Sequence, residues 1–166
     1  MELWDAYHRD GTPAPVKLTR GEPIPDGLYH IVSEILVRHI DGSYLVMLRD
    51  PRKESNPSRW EASAGGSALV GETGEACARR ELQEETGLSG EFTFLCRHID
   101  GHTFHDDYLC VTGCDTAAVT LQEGETTAYK WLNEPDFIAF IHSPEAIARQ
   151  VERFRDYYVS KGYMKP

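Results

Sequence analysis

The run YHIVSEILVRH, from Tyr29 to His39, is apolar and rich in β-branched residues, and it predicts a strand. Asp41-Gly42 then predicts a turn into a second strand, Tyr44 to Arg49. Glu2 to Tyr7, Trp60 to Ser63 and Tyr129 to Leu132 read as further short strands. Glu91 to His98 and Tyr108 to Val111 read as a pair joined by the polar stretch DGHTFHDD. The helical period takes over between Glu75 and Thr86, where no proline intervenes, with Thr73 placed as N-cap and Gly87 as a left-handed stop. Asp136 to Ile141 predicts a short helix. Ser143-Pro144-Glu145 predicts the start of another, running to about Tyr158, with Ile147, Val151, Phe154 and Tyr158 as its core stripe. Thr12 to Gly27 is rich in Pro and Gly and reads as an irregular arm, and Asp50 to Arg59 as a polar loop. Strands interspersed with two main helices predict sheets held between helices.

A chain of 166 residues, 40% hydrophobic and 27% charged, suits one globular domain with a sizeable core. The formal charge of −10 disfavours stable nucleic-acid binding and attraction to an anionic membrane. It leaves phosphate substrates open, because a bound cation inverts the local field. Cys77, Cys96, Cys110 and Cys114 contain no CxxC pair and read as buried or half-buried free thiols. The amino-terminal MELWDAYHRDG lacks the apolar run of a signal peptide, and no run approaches a membrane span, so a cytoplasmic location is expected. Nothing in the sequence sets an oligomeric state, and an oligomer is compatible with it.

The chemistry concentrates in one helix. At about 100° per residue, Glu81, Glu84 and Glu85 fall on a narrow face, flanked by Arg80 four residues before Glu84. Like charges at these spacings cost a few tenths of a kcal/mol per pair in a bare helix, so the cluster needs a reason. A hard divalent cation supplies one, since magnesium prefers carboxylate oxygens, water and substrate phosphates.

The surrounding stretch, GSALVGETGEACARRELQEETGL from Gly66 to Leu88, fixes Gly66, Glu72, Arg80, Glu81, Glu84, Glu85 and Gly87, with Leu82 and Leu88 apolar. Matching seven positions by accident runs to about one in 10^8 per starting site. The stretch resembles the Nudix box without departure. That resemblance implies an α/β fold, a Nudix-type α/β/α sandwich with a mixed sheet, covering residues 1–166 with an N-terminal arm at 1–28 and the box at 66–88. It implies a Mg²⁺-dependent hydrolase, with Mn²⁺ an acceptable substitute, that splits a diphosphate linkage in a small-molecule substrate such as a nucleoside diphosphate derivative. By the same resemblance Glu84 and Glu85 are the principal metal ligands, and Glu81 is a further ligand or the group handling the attacking water. The Gly66 carbonyl joins the metal shell, Arg80 orients a glutamate, and Glu72 braces the loop. Which glutamate is the general base stays open, as does the leaving group.

Outside the box, WDAYHRDG, RGEPIPDGLYH and LVMLRDPRK…SRWEASAGGS look like the branch related to isopentenyl-diphosphate isomerase. Those isomerases carry a catalytic cysteine just before the first box glycine and a metal-binding histidine just after it. This chain has Gly65 and Ser67 there, and Cys77 lies about two helical turns before the Glu84-Glu85 pair, so isomerase chemistry is disfavoured. Ala64 replaces the proline many Nudix hydrolases carry. A catalytically idle sensor is the other alternative, opposed by retention of Arg80 and all three glutamates.

Weaker candidates lie outside the box. His98, His102, His105, Asp106 and Asp107 read either as a polar hairpin or as a substrate or second metal patch, with His105 and Asp107 the candidate substrate contacts. Trp60 and Trp131 read as core aromatics or as stacking platforms for a base, Trp60 being the candidate contact. Glu123 and Glu125 read as an exposed acidic turn or as an extra ligand or base. His30 is expected to be a hydrogen-bonded core histidine.

Overall fold

The computed structural model describes residues 1–166. Strands β1 (Leu3–Tyr7) and β2 (Pro13–Thr19) form a two-stranded antiparallel hairpin. The main sheet is built from β3 (His30–His39), β4 (Tyr44–Arg49), β5 (Trp60–Ala62), β6 (Ala64–Ser67), β7 (Glu91–Asp100), β8 (Thr103–Thr112) and β9 (Thr126–Leu132). Its order is β5-β4-β3-β8-β7, with β6 also on β3 and β9 also on β4. β3 and β8 run parallel while every other pairing is antiparallel, so the sheet is mixed. Helix α1 (Gly74–Thr86) lies between β6 and β7 in the chain, and α2 (Glu134–Ile141), α3 (Ala148–Arg153) and α4 (Arg155–Ser160) end it. No helix is long and apolar enough to cross a membrane.

The central strand explains the layering. Ile35 and Val37 pack with Ala78, Leu82 and Leu88 of the α1 side, whereas Leu36 packs with Tyr44, Phe137, Phe154 and Tyr158 of the α2–α4 side. Both faces of β3 are covered, which is why its sequence reads as a continuous apolar run. Each such side chain buried contributes roughly 1.5–3 kcal/mol. The result is the expected α/β/α sandwich.

Three local expectations are corrected. The segment from Thr12 to Gly27 is not wholly irregular, because residues 13–19 pair with β1 as an edge strand, a place where prolines are tolerated. The DGHTFHDD stretch is not a loop. All but its first residues belong to β8, drawn into the sheet by ten residues of parallel register with β3. Finally, Ser143 does not launch a long helix. Its hydroxyl donates to the Phe140 carbonyl, and Ala146 forms a bridge with Trp60. Arg59 holds the carbonyls of Pro144 and Ala146, so helix begins only at Ala148 and breaks again at Phe154. The predicted stripe nonetheless packs inward at Phe154 and Tyr158.

The hairpin docks on the sheet through a Tyr7–Tyr29 bridge and through Trp4, whose ring stacks on His30 at 4.1 Å. His30 also pairs with the Thr103 hydroxyl at 3.1 Å, and burial pushes its pKa down to about 4. It is a core histidine. All four cysteines are free, with Cys77 and Cys110 buried and Cys96 and Cys114 half-buried.

Candidate active site

Helix α1 is set at both ends as its residues dictate. Thr73 accepts from the Ala76 N–H at 3.1 Å, and Gly87 adopts φ 71° to end the helix. With Ala78 and Leu82 fixed against the sheet, the glutamate face is turned toward β6 and the loop at Glu72. Gly66 makes the close approach there: a Cβ on it would stand 2.2 Å from Glu81 Oε1. Only glycine lets this carboxylate lie against the strand.

Arg80 is the hub. It donates to Glu72 through Nε at 2.7 Å and Nη2 at 2.9 Å, to Glu81 Oε1 at 2.7 Å, to Glu84 Oε2 at 3.2 Å and to the Ser67 carbonyl at 3.1 Å. Glu72 in turn accepts from the Leu69 N–H, and the Arg80 hydrogen bonds hold its carboxyl below the usual range. Burial pushes Glu81 upward, with Arg80 opposing. Glu84 is half exposed. Glu85 is 6% exposed and joins no ion pair. Burial, with Glu61, Glu81 and Glu125 facing it, raises its pKa well above the usual value, Lys53 being the cation that opposes. The Gly66 carbonyl accepts from the Cys77 thiol at 3.3 Å.

Gly66, Arg80, Glu81, Glu84 and Glu85 line a polar cavity of about 370 Å³, together with Glu2, Arg20, Lys53 and Glu125. A second cavity of about 220 Å³ continues from it, sharing Lys53, Glu85 and Glu125 and adding Glu34, Arg49, Glu61 and Gln150. Lys53 pairs with Glu125. Arg49 donates to Glu61 at 2.7 Å, while burial pushes the Glu61 pKa up to about 7. A buried carboxylate without an ion pair, among further carboxylates, is a donor set that fits a hard divalent cation.

Residues singled out elsewhere fall differently. Glu125 lines the cleft, whereas Glu123 is exposed. His105 stands behind the second cavity, its Nδ1 3.6 Å from Glu34 Oε1 and its Nε2 3.3 Å from Arg153 Nη2. Asp107 is fully buried between Cys96 and His98 and lines neither cavity. Trp60 lines a separate cavity with Arg59, Pro144 and Glu145, and Lys130 stands 4.2 Å over its ring. His102 bonds the Leu28 carbonyl, and Asp106 is held by Arg97. Sequence reasoning passed over Lys53, Arg49, Glu61, Glu34 and Gln150. Glu34 carried a readable signal, a carboxylate inside an otherwise apolar strand. The others meet only through the fold.

A family model described as the NUDIX domain matches residues 29–158. An uncharacterized Nudix hydrolase of Listeria monocytogenes is 31% identical over 89% of this chain and 89% of its own length. A crystal structure from Deinococcus radiodurans matches with a TM-score of 0.72 at 21% identity, covering 92% of this chain and 98% of that one. The Nudix domain of NrtR from Shewanella oneidensis, solved with ADP-ribose, matches with a TM-score of 0.58 at 16% identity, over 78% of this chain and 88% of that one. The chain belongs to the Nudix hydrolase family, whose general reaction is cleavage of a diphosphate linkage.

Proposed function

We propose that the protein is a Mg²⁺-dependent hydrolase of a diphosphate linkage in a nucleoside diphosphate joined to another group. Glu81, Glu84 and Glu85, with the Gly66 carbonyl, would hold the metal. The observation that carries this reading is Glu85, a buried carboxylate without an ion pair, facing three others. When bound, the cation polarises the diphosphate and lowers the pKa of the attacking water. Arg80 holds the Glu81 carboxylate against Gly66 and ties it to Glu72. A carboxylate of the cleft accepts the proton of the water. Lys53 and Arg49 supply positive charge for substrate phosphates along the second cavity.

Isomerase chemistry gains no support from Gly65, where a Cβ would stand 2.8 Å from the Ser33 carbonyl oxygen. An idle sensor would have no use for three mutually repelling carboxylates. The same reading takes a small molecule rather than nucleic acid as partner and a reducing, cytoplasmic location, consistent with four free thiols.

The test is a substrate panel with product analysis under Mg²⁺, Mn²⁺ or chelator. Dinucleotide polyphosphates, nucleotide sugars, nucleoside triphosphates, coenzyme A and isoprenoid diphosphates belong in it. So does ADP-ribose, the ligand seen with the Shewanella domain. Metal-dependent hydrolysis of at least one compound is expected. Isomerisation of an isoprenoid diphosphate, or hydrolysis undiminished by chelator, would overturn the reading.

A further inference from the structure

On the sheet face opposite α1, three different metal-ligating side chains converge away from the cleft. A register shift between Phe94 and Cys96 sets Cys96 directly across from Asp107, and His98 follows two residues later on the same face. Cys96 Sγ is 3.1 Å from His98 Nε2 and 3.7 Å from Asp107 Oδ2, and the last two atoms are 3.4 Å apart. A tetrahedral zinc ion, with Zn–S about 2.3 Å and Zn–N and Zn–O about 2.0–2.2 Å, holds its donors roughly 3.3–3.6 Å apart. The triangle, with sides of 3.1, 3.4 and 3.7 Å, brackets that size. The main-chain carbonyl of Arg153 flanks it, 3.0 Å from His98 Nε2 and 4.0 Å from Cys96 Sγ.

A second observation points the same way. Asp107 has no exposed surface, and its Oδ1 finds no hydrogen-bond partner. Burial and the facing Glu34 push the Asp107 pKa up to about 8, with Arg153 opposing, and a cation held by its Oδ2 beside Cys96 and His98 would supply the counter-charge this buried carboxyl lacks. Cys96 meanwhile opens onto a surface cavity of about 210 Å³ beside Phe154, Tyr157 and Ser160, and the His98 ring is 38% exposed, so an ion has access.

We propose that Cys96, His98 and Asp107 form a zinc site, separate from the box glutamates, with the Arg153 carbonyl or a water completing four-coordination. The donors choose the metal. Thiolate and imidazole suit zinc and not magnesium, whereas the all-oxygen set on α1 suits magnesium. Binding releases to solvent the Cys96 thiol proton and the proton that burial keeps on Asp107, and leaves His98 protonated on Nδ1, so that one thiolate plus one carboxylate then balance the 2+ charge. The ion would clamp the β7–β8 hairpin to the α3–α4 junction. There the Arg153 side chain reaches Glu34 at the second cavity.

The test uses the full-length protein stripped by dialysis against a chelator. Cobalt(II) titration of the wild type should give one equivalent of a thiolate-to-cobalt charge-transfer band with tetrahedral visible bands, abolished by Zn²⁺. Zn²⁺ should also raise the Tm. The double variant Glu84→Gln/Glu85→Gln should keep the band. Cys96→Ser should lose it and bind Zn²⁺ roughly a hundredfold or more weaker, measured against a chromophoric chelator. If circular dichroism finds Cys96→Ser unfolded, His98→Gln, which changes a partly exposed ring, carries the same expectation. No charge-transfer band in the wild type, or one that survives these substitutions in folded protein, overturns the site.

Discussion

At the scale of residues, the box works as a balance between repulsion and one cation. Arg80 neutralises Glu72 and Glu81 directly but reaches Glu84 only at 3.2 Å and leaves Glu85 alone. Glu84→Gln and Glu85→Gln should therefore each lower metal-dependent turnover at least about a hundredfold while leaving the melting temperature unchanged or higher, because each removes a ligand and a like-charge neighbour together. Near wild-type turnover in both variants would remove the proposed metal site. Arg80→Ala should cost roughly 10- to 100-fold through loss of Glu81 orientation, read in kcat rather than KM. It should also destabilise the fold, since Glu72 and Glu81 are left half-buried without a counter-charge. Unchanged turnover in Arg80→Ala would end its orienting role. Arg80, Glu81, Glu84 and Glu85 could be found in the sequence because a single helix spaces them. Lys53, Arg49 and Glu61 could not, because each reaches the cleft from a different turn or strand and no interval in the chain encodes their meeting.

At the scale of elements, what could be read was whatever carried its own ends. Helix α1 has a side-chain cap, a left-handed glycine and an unbroken period, and the structure matches it to within a residue. The α3–α4 segment shows the opposite. Its Ser-Pro-Glu start is a valid local signal, overridden by a tertiary bridge between Ala146 and Trp60 that no window of sequence contains. Strand β8 likewise exists because β3 offers it a parallel edge, although its HDD residues favour a turn. The docking of the N-terminal hairpin on β3 gives a prediction at this scale. His30, stacked under Trp4, has a pKa depressed to about 4 by burial, with His105 pushing the same way and Glu2 opposing. The unfolded chain takes up that proton near the ordinary value of 6.5, so the stabilising effect of a neutral His30 is complete above pH 6.5. It is lost as pH falls from there toward 4, by on the order of 3 kcal/mol at the bottom of the window. His30→Phe keeps the stack and removes the titration. Urea unfolding across that range should show the wild type losing more stability than the variant, and parallel curves would refute the assignment.

At the scale of the whole molecule, the sheet is common property. The α1 layer and the α2–α4 layer each complete a core on opposite faces of the same strand, through Ile35 and Val37 on one side and Leu36 on the other. Removing either layer exposes β3, and a two-stranded hairpin such as β1–β2 is marginal by itself. We therefore expect residues 1–166 to unfold as one cooperative unit, arm included. The three tryptophans report on three different places. Trp4 belongs to the hairpin cluster, Trp131 packs on the α1-side core and Trp60 on the α2–α4-side core. In three variants that each retain one tryptophan, the others being replaced by phenylalanine, the fluorescence midpoint in urea should coincide with the far-ultraviolet circular dichroism midpoint of the same variant. Comparing the two probes within each variant removes the unequal cost of the substitutions. A lower midpoint for Trp4 alone would mean that the arm melts off a core that stands without it. A split between Trp60 and Trp131 would mean that the two layers do not share the stability of their common sheet, and the single-unit picture would fall.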